Sequence, residues 1–127
     1  MTEKEKRYAI VIPAGKPAVL LYCWPEDGLE LKDLQDIVEG HIETVETMIG
    51  QGWAQEKEVT PVLIINEEGK LLGLPYNEDA TLMAQITMDD EIVGNAVLML
   101  ARGEELIGFR ERAARNIIRN WCVSEEE

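Results

Sequence analysis

The residues able to do nucleophilic, acid–base or metal chemistry are few. The chain holds one serine, Ser124, one histidine, His41, and two cysteines, Cys23 and Cys122. Ser124 stands three residues from the end of the sequence, where chains fray. A Ser-His-Asp triad therefore lacks an ordered nucleophile for His41 to activate. A zinc site of the Cys/His kind takes three or four soft ligands, and Cys23, Cys122 and His41 are all that the chain offers. The patterns CxxC, HExxH, GxGxxG and GxxxxGK[ST] are missing, and with them the usual redox, zinc and phosphate-cradling motifs. His41 reads as a partly exposed residue after a helix end. The two cysteines, 99 positions apart, read as buried thiols of a reducing cytosol rather than a disulfide. The acidic pairs Glu67-Glu68, Asp89-Asp90 and Glu104-Glu105 have the residue types for metal binding or paired-carboxylate catalysis. Adjacent acids in turns and at helix starts ordinarily only solvate the chain. The expectation is a protein with no catalytic residue, no metal and no cofactor, and not an enzyme.

Binding chemistry has two candidate sources. Gly73-Leu-Pro-Tyr-Asn77 packs a glycine, a rigid proline, an aromatic ring and an amide into five residues. It either presents Tyr76 for stacking and Asn77 for amide recognition of a small polar ligand, or it is a turn in which Asn77 caps a helix. The second source is cationic. Four of the six arginines, Arg110, Arg112, Arg115 and Arg119, fall within ten residues. At about 100° per residue, Arg112, Arg115 and Arg119 share one stripe of a helix. Phe109, Ala113, Ala114, Ile117, Ile118 and Trp121 take the other side, and Arg110 falls among them. An arginine on a burying face either finds a carboxylate or points into a site for an anion. The stripe is either a solvated or intersubunit surface or part of that site.

These residues need elements to hold them. Tyr8–Ile12 and Ala18–Trp24 are apolar runs around Pro13-Ala-Gly-Lys-Pro17 and predict a β-hairpin. Glu26-Asp27-Gly28 is a further turn. Leu31, Leu34, Ile37 and Val38 have helical spacing opposite Asp33, Asp36 and Glu39, which predicts an amphipathic helix ending at Gly40. His41–Ile49 alternates like a strand, although a continued helix would also gather Ile42, Val45, Met48 and Ile49. Gly50-Gln51-Gly52 is a break. Val59–Ile65 predicts a strand with Pro61 tolerated near its start. Asn66–Gly69 reads as a turn with Gly69 at positive φ, and Lys70–Gly73 as a short returning strand. Asn77 caps a helix near Glu78–Gln85. Ile92–Leu100 predicts a strand, and residues 103–121 a C-terminal helix. Trp24, Trp53 and Trp121 read as core or interface anchors.

The sequence has 127 residues and a net charge of −13. One domain fits that length, with a core that needs no metal or disulfide staples. The charge is uneven. Residues 102–119 hold five arginines and three glutamates, which leaves 7 basic and 22 acidic groups, or −15, on the other 109 residues. Wrapping duplex nucleic acid is disfavoured, because that needs clustered cations over most of the contact face. No apolar run approaches the roughly 20 residues of a membrane span, and no signal-peptide core follows the charged N-terminus.

Leu63-Ile-Ile-Asn-Glu-Glu-Gly-Lys-Leu-Leu-Gly-Leu-Pro-Tyr-Asn77 resembles the hallmark segment of an uncharacterised family of small proteins of phages, plasmids and conjugative elements. Members read as a strand, N/D-E-E-G-K-L, then G-L-P-x-N, followed by a strand of the type D-x-I-x-G-x-x-V. Here that strand is Asp90-Glu-Ile-Val-Gly-Asn-Ala-Val97. The likeness covers about residues 29–100, with Gly69–Asn77 its most specific part. It carries no activity. What it implies is context: an accessory protein of a mobile element in a bacterial cytoplasm, in a class that often opposes host defences.

The sequence therefore predicts one α+β domain over residues 1–127, mostly antiparallel sheet with a short central helix and a longer C-terminal one, and tails at 1–7 and 123–127. The expected function is that of a non-enzymatic protein that occupies a host component, with the acidic body imitating the charge of nucleic acid. The alternative is capture of an anionic small molecule, such as a nucleotide signal, by the arginine helix and the Tyr76-Asn77 turn. The partner is a host protein or such an anion, and the hairpin edge and amphipathic helix leave a homo-oligomer open.

Overall fold

In the computed structural model, which describes residues 6–24, 30–47, 59–84 and 91–122, the apolar run after Lys6 forms β1 (Arg7–Ile12). Pro13 denies it a further donor, the chain turns, and β2 (Val19–Trp24) pairs back antiparallel. Helix α1 (Leu31–Val38) follows, its Glu30 N–H donating to the Asp33 carboxylate at 2.9 Å. It ends on Glu39 in the left-handed region (φ 68°), one residue before Gly40. Next come β3 (Ile42–Glu46) and β4 (Thr60–Asn66). The single-turn helix α2 (Gly69–Leu72) and helix α3 (Glu78–Ala84) lead to β5 (Ala96–Arg102). Short strands β6 (Glu105–Ile107) and β7 (Phe109–Arg110) then feed α4 (Glu111–Trp121).

Every strand pairing among the described residues is antiparallel, in the order β2-β1-β5-β4-β3. One departure shapes the sheet. β5 pairs with β1 only through Ala96–Leu98, opposite Ile12–Ile10. Beyond that point Leu100–Arg102 pair with β6 instead, while Arg7 and Tyr8 pair with β7. The chain between Glu105 and Arg110 thus wedges between two central strands where they part.

Both faces of the sheet are covered, which is why its central strands read as continuous apolar runs rather than as alternations. On one face Leu34 and Val38 of α1 pack against Ala9, Val62, Ile64, Val97 and Met99. On the other, Ala80, Met83 and Ala84 of α3 and Ala113, Ala114 and Ile117 of α4 join Ile10, Ile12, Leu63, Leu98, Leu100 and Phe109. The domain is α+β, mostly antiparallel sheet, with a C-terminal helix as the composition and periodicity predict. No described helix is long and apolar enough to cross a membrane.

The hairpin, the α1 helix and the Asn77 cap hold, and of the strand read over His41–Ile49 the structure shows Ile42–Glu46, with Met48 and Ile49 outside the described residues. Four readings need correction. Lys70–Gly73 is no strand: Leu72 N–H reaches the Glu68 carbonyl at 3.0 Å and closes a helical turn. Gly69 does not take positive φ. It is small because a Cβ there would sit 2.9 Å from Val93 Cγ2. The strand expected from Ile92 starts only at Ala96, because Gly94 takes φ 82° and breaks the run. The helix expected from residue 103 begins at Glu111, so Phe109 and Arg110 belong to β7. Arg7, expected in an N-terminal tail, instead opens β1. Ser124, Trp53, Asp89-Asp90, Glu26–Gly28, Gly50–Gly52 and the side chains of Cys23 and Trp24 lie outside the described residues.

Candidate functional site

Asn77 is 1% exposed and fully engaged by the fold. Its Nδ2 donates to the carbonyls of Ile12 and Gly94, both at 2.8 Å, and its Oδ1 accepts from Ala80 N–H at 3.1 Å. The side chain caps α3 and ties that helix to the end of β1 and to the Gly94 bend. Asn77 thus has nothing left to offer a ligand. Tyr76 beside it is half exposed and bridges Val93 through its backbone. Two more asparagines do related work. Asn66 Nδ2 donates to the Val38 and Glu39 carbonyls, and its Oδ1 accepts from Glu68 N–H. Asn95 Oδ1 accepts from Ala14 N–H, and its Nδ2 donates to the Ile37 carbonyl. Leu74 Cδ1 lies 2.8 Å from where a Cβ on Gly94 would stand, so that bend closes directly onto the chain leaving α2. The Asn66–Asn77 motif is, in its buried positions, a set of instructions for folding.

The arginines are exposed on α4 and at its start. Arg110 is exposed at the N-terminal boundary of α4, in β7, and not on a burying helix face. Arg112, Arg115 and Arg119 are exposed along α4, as the stripe requires. Arg115 Nε pairs with Glu111 at 2.9 Å, and Arg119 Nη1 donates to Asn116 Oδ1 at 3.2 Å. Trp121 packs its ring against the core cluster.

The chemistry-bearing residues are equally unassembled. His41 is exposed, and it is its backbone carbonyl that takes part in the fold by accepting from Glu67 N–H. Cys122 is a free thiol at the end of α4. Burial, and then the Asp79 carboxylate, push its pKa up to about 12. It is therefore a poor nucleophile, because the thiolate is the reactive form. Among the described residues, no group of acids, histidines and cysteines could hold a metal ion.

The acids do converge on a surface. A groove of about 240 Å³ lies between β3, the Asn66–Leu71 segment and the Glu91–Val93 segment. Val45, Ile65, Ile92 and Val93 supply its apolar lining and Glu43, Glu67, Glu68 and Glu91 its carboxylates, with Lys70 the one cation among the described lining residues. Glu43, Glu67, Glu68 and Glu91 are exposed. Leu71, on the wall, is 86% exposed and Leu72 is 57% exposed. The sequence reading missed this place because it put Leu71 and Leu72 into a strand and treated Glu67-Glu68 as mere solvation. The legible signal was a pair of leucines separated by two residues from a preceding pair of glutamates, in a segment rich in turn residues.

A family model described as a domain of unknown function (DUF3846) matches residues 6–121. No curated protein and no solved structure matches the chain.

Proposed function

We propose that this chain, which belongs to the DUF3846 domain family, is a non-enzymatic binding protein that occupies a nucleic-acid-binding protein through its acidic surface. The observation that supports this reading is the run of exposed carboxylates on and beside α1 and around the β3 end of the sheet. Asp33, Asp36 and Glu39 stand on or beside α1, and Glu43, Glu46, Glu67 and Glu68 surround the β3 end of the sheet. The exposed arginines of α4 lie on the layer opposite α1. A chain of −13 that displays these carboxylates presents to a cationic cleft what a nucleic acid presents, a field of negative charge. It steers association and favours the cleft that evolved for phosphate. In this reading the protein serves a phage or other mobile element, acts in the bacterial cytoplasm, and counters a host defence by blocking an effector's nucleic-acid site.

Capture of an anionic small molecule is the weaker reading. Arg115 and Arg119 already face partners on their own helix, and the groove is lined by carboxylates, which repel an anion.

The test begins with native mass spectrometry of the protein purified from its bacterial host, which reports the oligomer, any retained partner and any retained small molecule together. A nucleic-acid-binding partner is expected. Its association with this protein should fall steeply between low and high salt and should yield to competing duplex DNA. Salt-insensitive association, or a retained nucleotide with no partner protein, refutes the proposal.

A further inference from the structure

We infer that the groove between β3, α2 and Glu91–Val93 is a docking site for one extended segment of a partner protein in which arginine or lysine alternates with large apolar residues. The inference rests on the acidic-surface reading above and locates within it the place where contact is specific. Three features point the same way. First, the volume of about 240 Å³ falls below the roughly 300–1,000 Å³ of small-molecule pockets. It suits one or two anchoring side chains, the size of an interface hot spot. Second, the chemistry is split between floor and rim. Val45, Ile65, Ile92 and Val93 offer apolar contact, while Glu43, Glu67, Glu68 and Glu91 set four carboxylates against the single ammonium of Lys70. An occupant must therefore bring both apolar bulk and positive charge. A nucleic acid is repelled by these carboxylates, and a neutral apolar peptide forgoes the charge complementarity that the exposed Glu43, Glu67 and Glu68 offer. Third, α2 carries two consecutive exposed leucines, Leu71 at 86% and Leu72 at 57%. Its fold is maintained by other atoms. Gly69 abuts Val93, Leu74 N–H bonds the Gly69 carbonyl at 3.1 Å, and Gly94 N–H bonds the Pro75 carbonyl. The turn is braced from beneath, and its apolar side chains are left standing outward beside the acidic rim.

Labour within this segment is divided between buried and exposed residues. Asn66, Gly69 and Asn77 are buried and hold the backbone. Glu67, Glu68, Leu71, Leu72 and Tyr76 are exposed. A rigid frame that displays leucines next to glutamates is a preorganised surface, which lowers the ordering cost of binding.

The experiment uses the full chain and two synthetic peptides of equal length and charge, one alternating arginine with leucine and one alternating arginine with glycine. Binding is read by isothermal titration at two salt concentrations and by amide chemical-shift mapping. The arginine–leucine peptide should bind at least tenfold more tightly than the arginine–glycine peptide. Its shift changes should gather at Glu43–Val45, Ile65–Leu72 and Glu91–Val93. Leu71→Asp should weaken it at least fivefold, and the combined Glu67→Gln and Glu68→Gln variant should weaken it and flatten its salt dependence. A control variant, Asp33→Asn with Asp36→Asn on α1, should leave it within twofold. Equal binding of the two peptides, or shifts spread over α1, would overturn the docking site while leaving the acidic-surface reading standing. Loss of salt dependence for both peptides would overturn both. A concentration-dependent dimer dissociated by Leu71→Asp would show that a second copy fills the groove, and would likewise overturn the proposal. Since Leu71 is so exposed, unchanged thermal unfolding of Leu71→Asp shows that its effect on binding is not a folding defect.

Discussion

Replacing Asn77 separates two jobs that one side chain performs. Its Oδ1 caps α3 at Ala80 N–H, while its Nδ2 supplies donors to the buried carbonyls of Ile12 and Gly94. Loss of an N-cap costs ~1 kcal/mol. A buried carbonyl stripped of its donor costs ~1–3 kcal/mol. Asn77→Ala removes the cap and both donors, so it should destabilise the domain by about 3–7 kcal/mol. That is a large share of the ~5–15 kcal/mol by which a typical domain is stable. Asn77→Asp is the discriminating partner. Aspartate caps as well as asparagine, yet it turns two donated hydrogen bonds into oxygen facing oxygen. If the cap dominates, Asn77→Asp is nearly neutral. If the carbonyl ties dominate, it costs at least as much as Asn77→Ala. The structure requires the second result, because the Ile12 and Gly94 carbonyls join three segments far apart in sequence. Urea titration at constant m value measures both variants. An Asn77→Asp protein within ~0.5 kcal/mol of the original, or an Asn77→Ala protein that loses less than ~1 kcal/mol, would refute the reasoning.

Gly69→Ala brings a Cβ to 2.9 Å from Val93 Cγ2, and should cost ~1–3 kcal/mol as overpacking. Val93→Ala should restore part of that loss, seen as a coupling above ~0.5 kcal/mol in a double-mutant cycle. The Cys122 thiol, raised from 9.0 to about 12 in the fold, stays protonated where the unfolded chain ionises. Its contribution is complete below the unfolded value and is lost as pH rises from there toward the folded one. The alkaline fall in urea midpoint should therefore be shallower in Cys122→Ala. The same thiol should react slowly with a disulfide reagent at mildly alkaline pH until the chain is unfolded. Arg115→Ala removes an exposed pair with Glu111, and should change the unfolding free energy by no more than ~0.5 kcal/mol.

What could be read from the sequence was what periodicity and local caps determine. The hairpin follows from an apolar, β-branched run and a second apolar run around Pro13 and Pro17. Helix α1 follows from Leu31, Leu34 and Val38, and the Asn77 cap from an amide just before two acids. The failures lie where a short pattern supports two periods. Lys70-Leu71-Leu72 is too short to choose between strand and helix turn, and the Glu68 carbonyl decides it. Leu106, Phe109, Ala113 and Ile117 have helical spacing across the real start of α4 at Glu111. Only Gly108, buried where its carbonyl accepts from Arg7 Nη1 at 3.2 Å, hints that a strand comes first. That misreading moved Arg110 into the core on paper, whereas the fold leaves it exposed. The acidic groove was hidden for a different reason. Its lining comes from β3, the β4–α2 segment and residues 91–93, and no local pattern joins positions so far apart.

The wedge of Glu105–Arg110 between β5 and β1 also bears on how the chain is made. On the ribosome β1 emerges first, but Ile10 waits for Leu98 and Tyr8 for Phe109. At ~5–20 residues per second, the interval between the synthesis of β1 and that of its β5 partner is several seconds to well over ten. In that time β1 has only β2 beside it, and an isolated hairpin is marginal in water. Its free edge, carrying Ile10 and Ile12, is open to any other strand. Release of the finished C-terminal segment closes that edge, so nascent chains that stall before residue 98 are the species most exposed to aggregation.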